Sequence, residues 1–243
     1  MEYQIGCSGF HYKHWKGNFY PEDLPQKKWF EYYCKFFDTV ELNVTFYHFP
    51  ELTTLEGWYE KSPDNFQFAV KAPRLITHFK KFVDVTHLLD QFYEVVNQGL
   101  KEKLGCVLFQ FPPSFHYSEE RLERIINSLD TNYHNVVEFR QQDWWKTEVY
   151  SRLGKRNISF CGMSHPDFPN EIIANSSVLY YRMHGSTQLY ASNYSNQDLG
   201  TFLKQLKKEK QLKKAFIYFN NDALGFATKN AATLLQKVHL RQG

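Results

Sequence analysis

The stretch that decides the fold of this chain is residues 178–184, VLYYRMH, a β-prone apolar run that ends in arginine and histidine. Side chains alternate between the two faces of a strand, so Arg182 and His184 share one face. The apolar residues occupy both faces, which is typical of a strand buried on both sides in a parallel sheet. A charge in such a strand is tolerated best inside a barrel, near its open rim.

The same design recurs along the chain, where eight β-prone runs alternate with segments of helical periodicity. The runs are residues 3–7, 39–45, 66–72, 106–111, 136–140, 158–163, 178–184 and 215–220. Helices are predicted over residues 29–37, 88–100, 119–129, 198–208 and 227–238. Strands that alternate with helices indicate parallel βαβ units.

Eight such units favour a closed barrel. We therefore predict an α/β fold, a TIM-type (β/α)₈ barrel that forms a single domain over residues 1–243. The first βα connection, residues 8–25, is unusually long. Residues 164–177, between the sixth and seventh strands, are too short and too rich in Pro and Asn for a regular helix. An open doubly wound sheet is the competing fold.

Composition limits the classes of function. The 243 residues carry a net charge of +3, which is too small to indicate nucleic-acid binding by itself. No apolar run approaches the roughly 18 residues of a membrane helix, and the N-terminus does not resemble a signal peptide. The four cysteines form no C-x-x-C pair. These features predict a cytoplasmic protein with reduced thiols and no membrane partner.

Cationic and amide side chains gather at the carboxyl ends of the predicted strands, where TIM barrels place their active sites. Arginine offers bidentate contacts to phosphate or carboxylate, and lysine offers a point charge. The sequence therefore predicts an anion site at this rim. The substrate-binding candidates are Asn43, Lys71, Arg74, Gln110, Arg140, Trp144, Arg182, Asn220 and Asp222.

Two carboxylates and a histidine at the same rim are the catalytic candidates: Glu41, Glu138 and His184. Glu41 shares a predicted strand face with Asn43 and Thr45. Burial can tune a carboxyl pKa for general base catalysis. The alternative is that both glutamates only neutralise Arg140 and Arg182 inside the barrel, since buried charges need partners.

Seven ordered blocks of sequence carry a family resemblance over nearly the whole chain. They are residues 6–10 (GCSGF), 41–47 (ELNVTFY), 68–74 (FAVKAPR), 108–113 (LFQFPP), 138–140 (EFR), 182–185 (RMHG) and 218–222 (YFNND). The chain resembles the YecE-like family, also called domain of unknown function family seventy-two. The resemblance implies a TIM-type barrel but no activity, although some relatives have been likened to barrel nucleases. Phe10, His48 and Gln141 depart from residues frequent in the family.

Other chemistries stay open or are disfavoured. Glu41, Glu138, His184 and Asp222 could be drawn as a metal site, but the dense His and carboxylate cluster of a metallonuclease cannot be assembled, so no metal ligand is assigned. Lys71 could form a Schiff base instead of contacting an anion. Glycoside hydrolysis is disfavoured because the fourth and seventh strands offer Gln110 and His184 in place of acids. No nucleotide-cofactor motif is present, and a divalent metal is not excluded.

The leading hypothesis is an enzyme that acts on a small anionic substrate, phosphorylated or nucleotide-like, as a hydrolase or lyase. A non-catalytic nucleic-acid-binding protein, using the rim and the Lys-rich residues 204–214, is the second hypothesis. In the third, the rim charges are only structural. Substrate identity, cofactor and oligomeric state are not predicted.

Overall fold

The computed structural model describes residues 1–240, which form a single α/β domain of nine parallel strands with helices between them. The strands are β1 Glu2–Ser8, β2 Thr39–Leu42, β3 Gln67–Lys71, β4 Leu104–Phe111, β5 Asn135–Phe139, β6 Ser159–Phe160, β7 Gly162–Ser164, β8 Val178–Met183 and β9 Lys214–Phe219. The α-helices are α1 Trp29–Tyr33, α2 Val44–Tyr47, α3 Leu52–Lys61, α4 Thr86–Leu100, α5 Glu119–Ser128, α6 Thr147–Gly154, α7 Asn196–Leu206 and α8 Ala227–His239.

The sheet order shows how the barrel closes. The strands run β6-β5-β4-β3-β2-β1-β9-β8-β7, and every neighbouring pair is parallel. The strands at the two ends of this order, β6 and β7, are separated in sequence only by Cys161. The sixth predicted run therefore pairs with β5 through its first half and with β8 through its second half. The predicted barrel is confirmed, and the open sheet is excluded.

Alternation along the strands separates the barrel interior from the layer under the helices. One buried cluster holds Ala69, Leu108, Val136, Tyr180 and Tyr218, which project from five different strands. Two residues further along each of these strands, the chain carries a polar side chain on the same face. These are Lys71, Gln110, Glu138, Arg182 and Asn220. The interior thus changes from apolar to polar toward the carboxyl ends of the strands.

Several element boundaries differ from the prediction. The second strand ends at Leu42, and Val44–Tyr47 is helical. The expectation that Thr45 continues the strand face of Glu41 is therefore wrong, because the chain turns into α2 after Asn43. Helices α3 and α6 were not among the predicted segments, whereas residues 165–177 contain no helix, as expected.

The long first connection is packed by aromatic rings. Trp15 and Tyr20 are each only 1% exposed, and Tyr20 stacks on Trp29 with an interplanar angle of 9°. This packing carries part of the 18% aromatic content and holds the connection against the rim of the barrel. Within residues 1–240, no helix is long and apolar enough to cross a membrane.

Candidate functional site at the carboxyl end of the barrel

A cavity of about 560 Å³ opens at the carboxyl ends of the strands. Seven of the predicted site residues line it: Asn43, Lys71, Gln110, Arg140, Arg182, Asn220 and Asp222. A second cavity of about 560 Å³ shares Gln110, Arg140 and Tyr190 with the first. The two cavities are therefore neighbours at the rim, and the polar layer of the barrel interior forms the floor of the first.

The floor of the cavity is an ion-pair network centred on Arg182. Its Nη2 donates to Oε1 of Glu41 and its Nη1 donates to Oε2 of Glu138, each at a distance of 2.7 Å. The arginine is 2% exposed and both glutamates are 0% exposed. Three strands, β2, β5 and β8, are therefore tied together through one guanidinium group.

Glu41 has its carboxylate oxygens occupied by further donors. The hydroxyls of Ser8 and Tyr180 each donate to the Glu41 carboxylate at 2.7 Å, and Nδ2 of Asn43 donates to it at 3.1 Å. Burial alone would raise the pKa of Glu41, but Arg182 and the two hydroxyls outweigh burial and lower it. Glu41 is thus an ionised and well-partnered carboxylate.

Glu138 is held in the same way, and it links the network to a histidine. Nε of Arg140 donates to Oε1 of Glu138. Burial opposes ionisation, yet Arg140 and Arg182 together hold the pKa of Glu138 well below its usual range. The Nη2 of Arg140 donates to Nε2 of His184 over 2.7 Å. Two arginines therefore neutralise two glutamates inside the barrel.

His184 is fully buried and neutral. Burial, Arg140 and Arg182 hold its pKa well below the usual value. Because its Nε2 accepts from Arg140, the ring proton lies on Nδ1, whose neighbour at 3.1 Å is Nδ2 of Asn220, a donor in the placed orientation of the amide. We assign the amide oxygen of Asn220 as the acceptor of this proton. Both ring nitrogens of His184 are thereby engaged within the protein.

Lys71 differs from the two arginines because it lacks a carboxylate partner. Its side chain is buried, with 8% exposed, and Nζ lies 4.1 Å from the centre of the Phe46 ring. Nothing in residues 1–240 forms a hydrogen bond or ion pair with this amine. Burial and the nearby guanidinium of Arg182 lower the pKa of Lys71 to about 7. Burial and Lys71 in turn lower the pKa of His78 to about 4.

Asp222 belongs to a second cluster on the cavity wall. Nε1 of Trp15 lies 2.9 Å from both carboxylate oxygens, and Nε2 of His14 lies 2.7 Å from Oδ2. Burial raises the pKa of Asp222, against the opposing effect of Trp15 and His14. His14, in the long first connection, is exposed to solvent and also lines the cavity. The signal that could have found it is the neighbouring Trp15, whose ring must be buried.

Two substrate-binding candidates lie away from the cavity lining. Trp144 is fully buried, stacks on Phe139 with ring centres 4.0 Å apart, and donates from Nε1 to the backbone oxygen of Phe115. It therefore packs in the core, because the short helical turn Gln142–Trp144, which follows β5, places its ring against Phe139 of that strand. Arg74 is exposed and lies over the rings of Tyr47 and Phe79.

Aromatic side chains form part of the cavity wall. Tyr12, Phe46, Tyr47 and Tyr190 line the cavity. In the described part of the chain, no three His, Cys, Asp or Glu side chains are grouped so that they could hold a metal ion. The carboxylates of Glu41 and Glu138 on the floor are instead paired with arginines.

Comparison with known proteins places the chain among relatives with the same architecture. The sequence profile described as "Protein of unknown function DUF72" matches residues 4–243. The chain belongs to this family. UPF0759 protein YunF of Bacillus subtilis (strain 168) is 26% identical over 254 residues, which covers 89% of each chain. UPF0759 protein YecE of Escherichia coli O157:H7 is 28% identical over 151 residues, which covers 62% of this chain and 53% of that protein.

Solved structures of DUF72 proteins share the barrel. A DUF72 family protein from Thermotoga maritima MSB8 superposes with a TM-score of 0.89 at 29% identity, covering 98% of this chain and 100% of that chain. A DUF72 family protein from Enterococcus faecalis V583 superposes with a TM-score of 0.84 at 17% identity, covering 98% of this chain and 95% of that chain, and shows the fold alone. The family expected from the sequence is confirmed, and its function must be argued from the site.

Proposed function

We propose that this DUF72 barrel is an enzyme that binds a small anionic organic molecule in the rim cavity. The observation that carries the proposal is a charge imbalance at the floor of the cavity. Arg140 and Arg182 are neutralised by Glu138 and Glu41, whereas Lys71 has no carboxylate partner among residues 1–240. On the floor three cations face two carboxylates, so this network carries one positive charge when Lys71 is protonated; the third carboxylate of the cavity, Asp222, lies on the wall with Trp15 and His14 as its partners.

An anion in the cavity would complete this network. At about 4 Å and an effective dielectric constant near 20, two opposite charges attract by about 4 kcal/mol, compared with about 1 kcal/mol in bulk water. Arg182 Nε and Asn43 Oδ1 are buried without a hydrogen-bond partner in the described chain. Both residues line the cavity that also contains Lys71, and each carries a polar atom without a hydrogen bond.

The contacts also bear on the proposed roles of the acids. Glu41, Glu138 and His184 each have their polar atoms occupied by neighbours, which favours positioning and neutralising roles over direct proton transfer. A purely structural rim would be closed and would have every cation paired. The open cavity and the unpaired Lys71 argue against that alternative.

Sulfate tests the anion site because its charge does not change near neutral pH. Sulfate should raise the thermal unfolding temperature of the wild-type protein and of Lys71→Arg, which keeps a positive charge. Lys71→Met should weaken sulfate binding about tenfold or more. Lys80→Met, at an exposed lysine outside the cavity, is the matched control. If wild-type protein does not respond to sulfate, or if Lys71→Met responds equally, the anion site is wrong.

One observation favours nucleic acid as a second candidate ligand. Tyr47 and Phe79 are 60% and 67% exposed, and the guanidinium of Arg74 lies 5.7 and 5.4 Å from their ring centres. Exposed rings beside arginine can stack with unpaired bases. Binding of a fluorescent oligothymidine should then fall steeply with salt and be lost in Tyr47→Ala. A flat salt response, or equal loss in the control Phe36→Ala, would discard this candidate.

A further inference from the structure

We propose that the amine of Lys71 is a nucleophile that forms an imine with an aldehyde or ketone carrying a carboxylate or phosphate group. This rests on the proposed function, because the anionic group of the ligand would bring its carbonyl into the rim cavity. It goes further by assigning a covalent step and a substrate class.

The position of Lys71 satisfies what a nucleophilic amine requires. It stands at the carboxyl end of β3, where its side chain continues the interior face of Ala69 into the cavity. The amine lies against the Phe46 ring and makes no hydrogen bond or ion pair within residues 1–240. Its lone pair is therefore not committed to another protein group. Most of the side chain is shielded, while the cavity lets a ligand approach.

The charges around Lys71 favour the reactive, unprotonated amine. A lysine that is desolvated, or that lies beside another cation, has a depressed pKa and becomes a nucleophile near neutral pH. The carboxylates that could stabilise an ammonium ion are already hydrogen-bonded to arginines. The charged and titratable groups that act on Lys71 and its cavity are Arg182, Arg140, Glu41, Glu138, His78, Arg74, His14 and Asp222.

The step balances without any oxidant or reductant. The nitrogen lone pair of Lys71 attacks the carbonyl carbon, a C–N bond forms, and the π electrons move to the carbonyl oxygen. One proton from nitrogen and one from solvent leave with that oxygen as water. The product is a protonated imine, whose positive charge takes the place of the ammonium charge above the network of Glu41 and Glu138. Relative to the unprotonated amine, the floor of the site gains one positive charge in this step, which the anionic group of the ligand offsets.

Pyruvate with sodium cyanoborohydride is the probe for this imine. Hydride adds to the imine carbon, so Lys71 should gain the mass of pyruvic acid less one oxygen, mapped by peptide mass spectrometry. An exposed lysine with a pKa of about 10.4 is unprotonated at pH 7 about 1,000-fold less often than an amine with a pKa near 7. We expect the adduct on Lys71 to exceed that on exposed Lys80 at least tenfold, and to increase from pH 6 to pH 8.

Lys71→Arg separates this inference from the proposed function. This variant keeps the positive charge to which sulfate binds, so stabilisation by sulfate should persist. Arginine forms no reducible imine with pyruvate, so the adduct should disappear. A wild-type protein that responds to sulfate but is labelled no more at Lys71 than at Lys80 overturns the imine and leaves the anion site standing. Mapping the adduct on wild-type protein needs no variant, so misfolding of Lys71→Arg would not spoil the test. Labelling of Lys71 without any sulfate response would support the imine and refute the anion site.

Discussion

Arg182 and Glu138 form a buried ion pair across the inside of the barrel, with Nη1 of the arginine 2.7 Å from Oε2 of the glutamate. The same guanidinium reaches Glu41 on the opposite side, so one side chain satisfies two fully buried carboxylates. Together with the pair of Arg140 and Glu138, this arrangement uses the two arginines on the floor of the cavity for internal neutralisation. It leaves Lys71 as the rim cation whose charge is not matched by a carboxylate within the described residues.

Arg182→Met should destabilise the protein by about 3–5 kcal/mol, because two buried carboxylates lose their main donor. The pKa values of Glu41 and Glu138 are lowered in the folded protein, so their stabilising effect is lost as the pH falls below about 4.5. In the variant, burial raises these pKa values and the loss begins at higher pH. Urea unfolding at pH 7 and pH 5 measures both effects. Arg152→Met, which removes partly exposed pairs with Glu119 and Glu123, should cost much less than Arg182→Met; equal losses would contradict the prediction.

Lys71→Met should raise the free energy of unfolding at pH 7, by on the order of 2 kcal/mol, since it removes an unpaired buried amine. The folded pKa of Lys71 is lowered to about 7, so between pH 7 and about 10.4 the unfolded chain binds a proton that the folded protein does not. Wild-type stability from this residue therefore rises with pH through that window. The advantage of the variant should shrink by pH 9.5 in urea unfolding. If the gain in stability of Lys71→Met does not depend on pH, the lowered pKa of Lys71 is not its cause.

His184 should remain neutral from pH 5 to pH 8, because burial and two neighbouring arginines lower its pKa well below the usual value. Nitrogen-15 chemical shifts of the imidazole should show a proton on Nδ1 and no titration in this range, with free imidazole as the reference. Below about pH 6.5 the unfolded chain takes up a proton on His184 and the folded protein does not. The free energy of unfolding therefore decreases as the pH falls. A transition of the His184 signal near pH 6.5 would contradict the buried network.

Trp144→Phe should lower stability by about 2 kcal/mol without changing the response to sulfate. The variant loses a hydrogen bond to Phe115 and part of a ring that is fully buried. The sulfate response should be unaffected because Trp144 does not line the cavity. Thermal unfolding with and without sulfate checks both statements. If a folded Trp144→Phe variant no longer responds to sulfate, Trp144 contributes to the anion site.

The sequence by itself determined the repeating pattern of the barrel and the face on which its rim residues lie. Strand periodicity is local, so the polar ends at Glu138 and Arg182 could be placed on interior faces from their spacing alone. The helix starts at Ser118 and near Asp198 are local as well, since a capping side chain bonds within three residues of itself. A closed barrel could be expected from the count of strands, whereas the break of the sixth run at Cys161 is seen only in the structure.

Only the tertiary structure decided which of the rim cations is free. Arg140, Arg182 and Lys71 are equivalent in sequence as polar ends of strands, and pairing depends on distances across a closed barrel that spacing along the chain does not encode. Closure places Arg182 between two glutamates from distant strands and leaves Lys71 against an aromatic ring. The packing of long-range contacts likewise brings His14 to the cavity and takes Trp144 away from it.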